Sequence, residues 1–239
     1  MDAYWAEAHT LMALGGNAEL LAFDPARDRF ADVLPCRTTL LGPTLNGNRI
    51  QLAGTVLGLA SQYPKPAQLP AFLQLLAEQQ VEQLVVLASE LDLYQQRLPA
   101  YFRSQHHYPG LTTTASRVAS IELGAGLSAR RYRLQLQWPD RDYALEVLHV
   151  VDWIDRETVP QPVLTALLQQ LPASGLPLVH CRAGVGRSGL LLAARAVTLC
   201  PQATLPQIVQ GVRACRNDLM VQTLPQMHTL VAYYHQQRG

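Results

Sequence analysis

The sequence predicts one α/β domain, and three observations carry that expectation. Strand-like alternation in YRLQLQ (132–137) and YALEVLHVV (143–151), with short buried runs in LVVLAS (84–89) and PLVH (177–180), is interleaved with segments of helical apolar spacing. The 239 residues, 49% of them hydrophobic, are enough for one substantial core. No internal repeat, low-complexity segment or linker divides the chain.

In chain order, residues 3 to 22 carry Ala, Leu and Met at helical spacing interrupted by Gly15-Gly16, which predicts one or two short helices, followed by a loop rich in Asp and Arg. LNGNRIQLAG and TVLGLASQYP read as paired strands, with Asn46-Gly47 as the turn signal. Phe72, Leu75, Leu76 and Gln79 place a helix over 69–80, before the buried strand LVVLAS. From Leu111 to Trp153 the chain is β-rich, with WPDRD as a turn between two alternating strands. A helix over Pro162–Leu171 turns Leu164, Leu167, Leu168 and Leu171 inward, and PLVH then leads through a glycine-rich loop into the apolar helix GLLLAARAVTL. Two further helices are expected, from Leu205 to about Arg216 with Thr204 as N-cap, and from about Leu224 to the end.

Charge narrows the function. The 19 basic and 18 acidic side chains nearly cancel and form no block, so binding of nucleic acid or an acidic membrane surface is not expected, and any anion site is local. No run reaches the roughly 20 apolar residues of a membrane span, and MDAYWAEAHT lacks the basic start and apolar stretch of a general secretory signal. Cys36, Cys181, Cys200 and Cys215 form no CxxC pair and are too few for a disulfide scaffold, which points to a reducing compartment.

The chemistry concentrates in HCRAGVGRSG, residues 180–189, between a short apolar strand and a helix. A structural turn around a buried cysteine leaves unexplained why Cys181 and Arg187 stand six positions apart around two glycines. Gly184, Gly186 and Gly189 fit a dinucleotide GxGxxG, yet no Asp or Glu lies between Gly189 and Asp218 to hold a ribose, and GK[ST] is absent. A thiolate inside an anion cradle fits better. Backbone N–H groups of Arg182, Ala183, Gly184, Val185 and Gly186 at a helix N-terminus attract a phosphate, and the same dipoles lower the pKa of Cys181. Arg187 offers a planar fork to two phosphoryl oxygens, Ser188 a hydrogen bond to the sulfur, and His180 orders the loop from behind.

HC-x5-R-S resembles the signature of the protein tyrosine phosphatases. RFADVLP (29–35) is similar to that family's phosphotyrosine-recognition segment, ASQYP (60–64) to its ATQGP stretch and LMVQTLPQ (219–226) to its glutamine loop. With LNGNRIQ, LASE, LPAYF and RNDLMVQ, the likeness is closest to the Yersinia-type phosphatases that bacteria inject through type III secretion, and it spans about residues 27 to 236. The resemblance implies a highly twisted mixed β-sheet flanked by helices, with residues 1–26 as an N-terminal helical segment and 27–239 as the catalytic domain. It implies hydrolysis of protein phosphotyrosine by a monomer without metal or cofactor, in the host cytoplasm or else in the bacterial cytoplasm.

The resemblance also assigns residues. Glu90 pairs with Arg187 and holds its fork, Gln222 positions the attacking water with Gln226 in support, and Phe30, Asp32 and Val33 bind the phosphotyrosine. The family's general acid sits on a mobile Trp-Pro-Asp loop that follows a strand and leads into the helix before the catalytic strand. Trp138-Pro139-Asp140 is the literal string, but it lies between two alternating strands where a hairpin turn uses Pro-Asp anyway. Trp153-Ile154-Asp155 stands directly before the Pro162–Leu171 helix, so Asp155 is the expected acid, with Ile154 in place of proline. A phosphotyrosine-binding module of impaired turnover and a dual-specificity or phosphoinositide phosphatase are the alternatives. Cys36, Cys200 and Cys215 are assigned to packing and His106-His107 to a solvated loop, with no metal site.

Overall fold

In the computed structural model, which describes residues 3–239, eight strands form one mixed sheet. They are β1 (Gly47–Leu52), β2 (Thr55–Ser61), β3 (Gln83–Val86), β4 (His106–Tyr108), β5 (Leu111–Gly124), β6 (Leu127–Gln137), β7 (Asp142–Val150) and β8 (Pro177–His180). The order across the sheet is β1-β2-β8-β3-β7-β6-β5-β4. The central pairs β2/β8, β8/β3 and β3/β7 are parallel and the outer pairs antiparallel. The helices are α1 (Ala3–Met12), α2 (Leu69–Glu78), α3 (Glu90–Gln95), α4 (Gln161–Leu168), α5 (Gly186–Leu199), α6 (Leu205–Cys215) and α7 (Leu224–Arg238).

Both short central strands are buried along their whole length, as parallel strands covered on two faces must be. Their period of two divides the core: Val85 and Val179 face the layer of α4, α5, α6 and α7, while Leu84, Val86 and Leu178 face α2 and the aromatics Tyr101 and Phe102. α5 runs through the first layer and is apolar nearly all round, which is why it lies inside rather than on the surface. α1 adds Ala8 and Leu11 to the same layer as Leu230 and Val231 of α7.

Several sequence expectations shift. The β1–β2 turn lies at Ala53-Gly54, both with positive φ (48° and 83°), and not at Asn46-Gly47. Asn46 is buried, its amide donating to Asp28 Oδ1 and the Val33 carbonyl, both at 2.8 Å. LVVLAS ends as a strand at Val86, and Ser89 instead caps α3, its hydroxyl accepting from Asp92 N while the Asp92 carboxylate accepts from Ser89 N. His106-His107 lie on the edge strand β4 paired with β5 rather than in a loop, and of the one or two helices expected over residues 3–22 one forms among the described residues. Thr204 caps α6 as expected, accepting from Gln207 N.

Candidate active site

Cys181 follows β8 directly, and the next four residues curl into α5. Gly184 makes the curl possible: its φ is +72°, and a Cβ there would lie 2.0 Å from the Ser61 carbonyl oxygen. The carbonyls of Ala183 and Gly184 turn outward onto Arg216, which donates to them at 3.2 and 2.8 Å. Arg216 is fully buried and fixed by Asn48 and Asn46 at 2.9 and 3.0 Å, and burial lowers its pKa to about 10. With those carbonyls held outward, peptide N–H groups turn toward the sulfur, and Gly184 N donates to Cys181 Sγ at 3.3 Å.

Gly184→Ala is therefore expected to strain the loop by about 1–3 kcal/mol from φ alone. In a chain of this size that lowers Tm by roughly 2–4 °C per kcal/mol, read by calorimetry. Arg216→Met should leave the sheet intact but remove a buried charge that interacts with the Cys181 sulfur. Iodoacetamide alkylation of Cys181 at mildly acidic pH should then slow several-fold, and an unchanged rate would show that Arg216 does not tune the thiolate.

Cys181 is 2% exposed. Burial alone pushes its thiol up, but the Arg187 charge and the nearby Ser188 hydroxyl and backbone N–H outweigh it and leave the pKa below the ordinary value. The Ser188 hydroxyl has no partner within ordinary hydrogen-bond geometry, which leaves it free for the sulfur. Behind the sulfur, Tyr101 Oη lies 2.7 Å from His180 Nε2, and His180 Nδ1 lies 3.2 Å from the Cys181 carbonyl. A carbonyl only accepts, so the proton is assigned to Nδ1 and the tyrosine donates to Nε2. Burial holds the His180 pKa at about 3, so the ring is neutral.

Arg187 is fully buried beneath the cleft. Its Nη1 donates to the Leu87 carbonyl (2.8 Å), the Trp153 carbonyl (2.6 Å) and Asp92 Oδ2 (2.7 Å), and its Nη2 to Asp155 Oδ1 (2.9 Å). Nε has no partner. The expected pairing with Glu90 does not occur: Glu90 Oε1 binds Arg103 and Arg130 instead. Glu90 opens α3 and points away, whereas Asp92, folding back as the third residue of its capping box, meets the arginine. The S-x-x-D pattern of Ser89 and Asp92 was the available signal.

The cleft above the sulfur holds about 50 Å³ and is lined by Phe30, Asp32, Val33, Asp155, Arg182 and Gln222. Gln62 fixes one wall, accepting from Arg29 N at 2.7 Å and donating to the Val33 carbonyl at 3.0 Å. So ASQYP and RFADV form one unit. Arg182 closes the mouth, its guanidinium 5.2 Å from the Phe30 ring centroid and its Nη1 3.5 Å from Asp155 Oδ2. Gln222 reaches the cleft. Gln226 does not: it is buried, its Oε1 accepts from Gln222 N and Thr223 N, and its Nε2 donates to the Glu157 carbonyl. The expected water-holding partner is thus a brace for the Gln222 loop.

Asp155 and Asp140 lie in different surroundings. Asp140 is exposed in the β6–β7 turn, which Trp138 N closes onto the Arg141 carbonyl at 2.8 Å. Asp155 stands over the cleft on a segment pinned at several points. Trp153 is buried with Nε1 donating to the Glu157 carbonyl at 3.0 Å, and Thr223 Oγ1 donates to the Arg156 carbonyl at 3.3 Å. Ile154 carries no φ constraint of its own, so these anchors and the positive φ of Arg156 (65°) shape the turn.

A model of the protein-tyrosine phosphatase family matches residues 45–235. The chain belongs to that family. It is 30% identical over 230 residues to the tyrosine-protein phosphatase YopH of Yersinia pseudotuberculosis, which covers 85% of this chain and 49% of that protein. It is 31% identical over 201 residues to the secreted effector protein SptP of Salmonella paratyphi A, covering 77% of this chain and 37% of that one. The chain thus spans half or less of the length of these relatives. The catalytic domain of human protein tyrosine phosphatase non-receptor type 18 superposes with a TM-score of 0.78 at 20% identity, over 98% of this chain and 94% of that one. That likeness shows the fold, including the mixed sheet flanked by helices. No helix of the described residues is long and apolar enough to cross a membrane.

Proposed function

We propose that this chain hydrolyses protein phosphotyrosine through a cysteinyl-phosphate. The observation that carries the reading is the pairing of a buried thiol of lowered pKa with a buried guanidinium whose Nε–H is unpartnered. Phosphate is the anion such a fork and amide cradle fit. The Cys181 thiolate attacks phosphorus in line, the S–P bond forming as the P–O bond to tyrosine breaks, while Arg187 and the loop amides take the charge of the equatorial oxygens. Asp155 gives its proton to the leaving phenolate oxygen. In the second step water held by Gln222 attacks phosphorus, its proton passes to the Asp155 carboxylate, the S–P bond breaks, and the Ser188 hydroxyl steadies the departing thiolate. Phe30 and Val33 wall the aryl ring and Asp32 accepts a peptide N–H. Asp92 is a positioning residue that keeps the Arg187 fork in plane.

Before substrate binds, Asp155 rests on Arg187 Nη2, where a phosphoryl oxygen would otherwise lie, so entry of substrate exchanges one anion for another. The domain comprises residues 27–239 with α1 as an N-terminal brace, and it acts as a monomer. Likeness to a relative named as a secreted effector supports action inside a host cell.

The test is phosphate release from matched phosphotyrosyl and phosphoseryl peptides, with an acid quench to trap phosphoenzyme. Release from the phosphotyrosyl peptide alone, with label retained on Cys181, is expected. Equal rates on both peptides would replace this reading with a dual-specificity one, and binding without release would replace it with a binding module. Asp92→Asn should lower kcat/KM about tenfold or more, because a charge-assisted bond to the buried Arg187 is lost.

A further inference from the structure

Among the described arginines at least nine-tenths buried, only two have a guanidinium nitrogen that is itself fully buried and without a partner: Arg187, at Nε, and Arg195, at Nη1. Both lie on α5, eight residues and so about 12 Å apart along the helix. Arg213 and Arg216 are equally buried and unpaired with carboxylates, but their donors end on backbone carbonyls and asparagine amides. Arg195 is 6% exposed, and its Nη2 donates to the Pro172 and Gly175 carbonyls at 2.8 and 3.3 Å. Burial is the one influence on its charge; no carboxylate approaches it.

Arg195 lines a cavity of about 370 Å³ between α4, α5 and α7, within the size range of small-molecule sites. Its walls are largely apolar, from Leu168, Leu171, Pro172 and Leu199, with Tyr233 at one side and no Asp or Glu among the lining residues. The C-terminal carbonyls of α5, which would repel an anion, are covered by Arg238, whose Nη2 donates to the carbonyls of Val197 and Cys200 at 2.8 and 3.1 Å. A cavity of about 600 Å³ beside Leu52 and Cys200 is larger but has no charged lining residue.

We propose that the Arg195 cavity is a second anion site, separate from the catalytic cleft, that takes a small organic carboxylate. The carboxylate meets Arg195 and a short apolar body packs against Leu168, Leu171 and Leu199. One cation with no helix N-terminus, and only the neutral Thr165, Gln169, Thr198 and Gln237 as further polar lining residues, suits a monoanion with an apolar tail better than a phosphate dianion, which the catalytic loop is built to hold.

Calorimetric titration with hexanoate, hexanol and hexylammonium tests this on the wild type, Arg195→Met and Leu168→Trp. Saturable one-to-one binding of hexanoate is expected, weakened about tenfold or more by Arg195→Met, which removes the charge, and by Leu168→Trp, which fills the cavity. Inhibition of turnover by inorganic phosphate, which reads the catalytic loop, should be unchanged in both variants. Absence of saturable hexanoate binding, equal binding of hexanol, or retention of hexanoate affinity in Arg195→Met would overturn the proposal. Arg195→Lys, which keeps the charge, should recover part of the affinity; failure to do so in a protein with wild-type Tm would count against it as well.

Discussion

Cys181→Ser should reduce phosphotyrosyl-peptide turnover by roughly 10⁴-fold or more while leaving peptide binding intact. A serine hydroxyl stays protonated at neutral pH, and the adjacent histidine cannot act as its base: His180 is neutral, buried and already committed to the Cys181 carbonyl and to Tyr101. The site activates its nucleophile by electrostatics alone, which suffices for a thiol and not for an alcohol. The cradle survives the change, because the amides and Arg187 are placed by Gly184, Arg216 and Asp92 rather than by the sulfur. Removing the thiolate also removes a negative charge beside the phosphate, so affinity should hold or rise. Steady-state kinetics with parallel calorimetry on the same peptide read both effects. Turnover above a hundredth of wild type would mean that another group attacks phosphorus.

The same electrostatics set the acid limb of the pH profile. The thiolate is the active form and its pKa is lowered, so kcat/KM should begin to rise at a pH below the ordinary thiol range. Arg216→Met and Asp92→Asn act on that limb from opposite sides of the loop, one through the outward carbonyls and one through the Arg187 fork.

How legible this site was depended on whether a side chain's task was written in local spacing. The loop 180–189 was legible because strand, glycines, thiol and arginine are contiguous, and Thr204 because a cap is a local device. Glu90 and Asp92 share one turn of α3, and only the fold-back of the third residue onto its cap decides which meets Arg187. Residue type and motif likeness could not separate them. Asn46 carried a strong turn signal, yet its amide serves a buried network joining Asp28, Val33 and Arg216, while Ala53-Gly54 makes the hairpin despite the unfavourable left-handed φ of an alanine. Arg216 stood in the RNDLMVQ run, but its task could not be read there, because the asparagines that fix it lie more than 150 residues away.

Asp155→Asn should lower kcat by roughly 10²- to 10⁴-fold, the range of a lost general acid, whereas Asp140→Ala should behave as wild type. The contrast follows from topology: Asp140 closes a β6–β7 hairpin, while Asp155 lies over the sulfur on Arg187 and Arg182. In the first step Asp155 gives a proton to the leaving oxygen, which an asparagine at the same place cannot do. Asparagine also removes the carboxylate that rests on Arg187 Nη2 and that a phosphate dianion must displace. Phosphopeptide affinity should therefore increase even as turnover collapses, a split that misfolding cannot mimic. Should Asp140→Ala instead be the variant that loses turnover, the Trp138–Arg141 turn would have to leave its hairpin to reach the cleft, and the register Leu136↔Tyr143 and Gln137↔Asp142 leaves it no slack to do so.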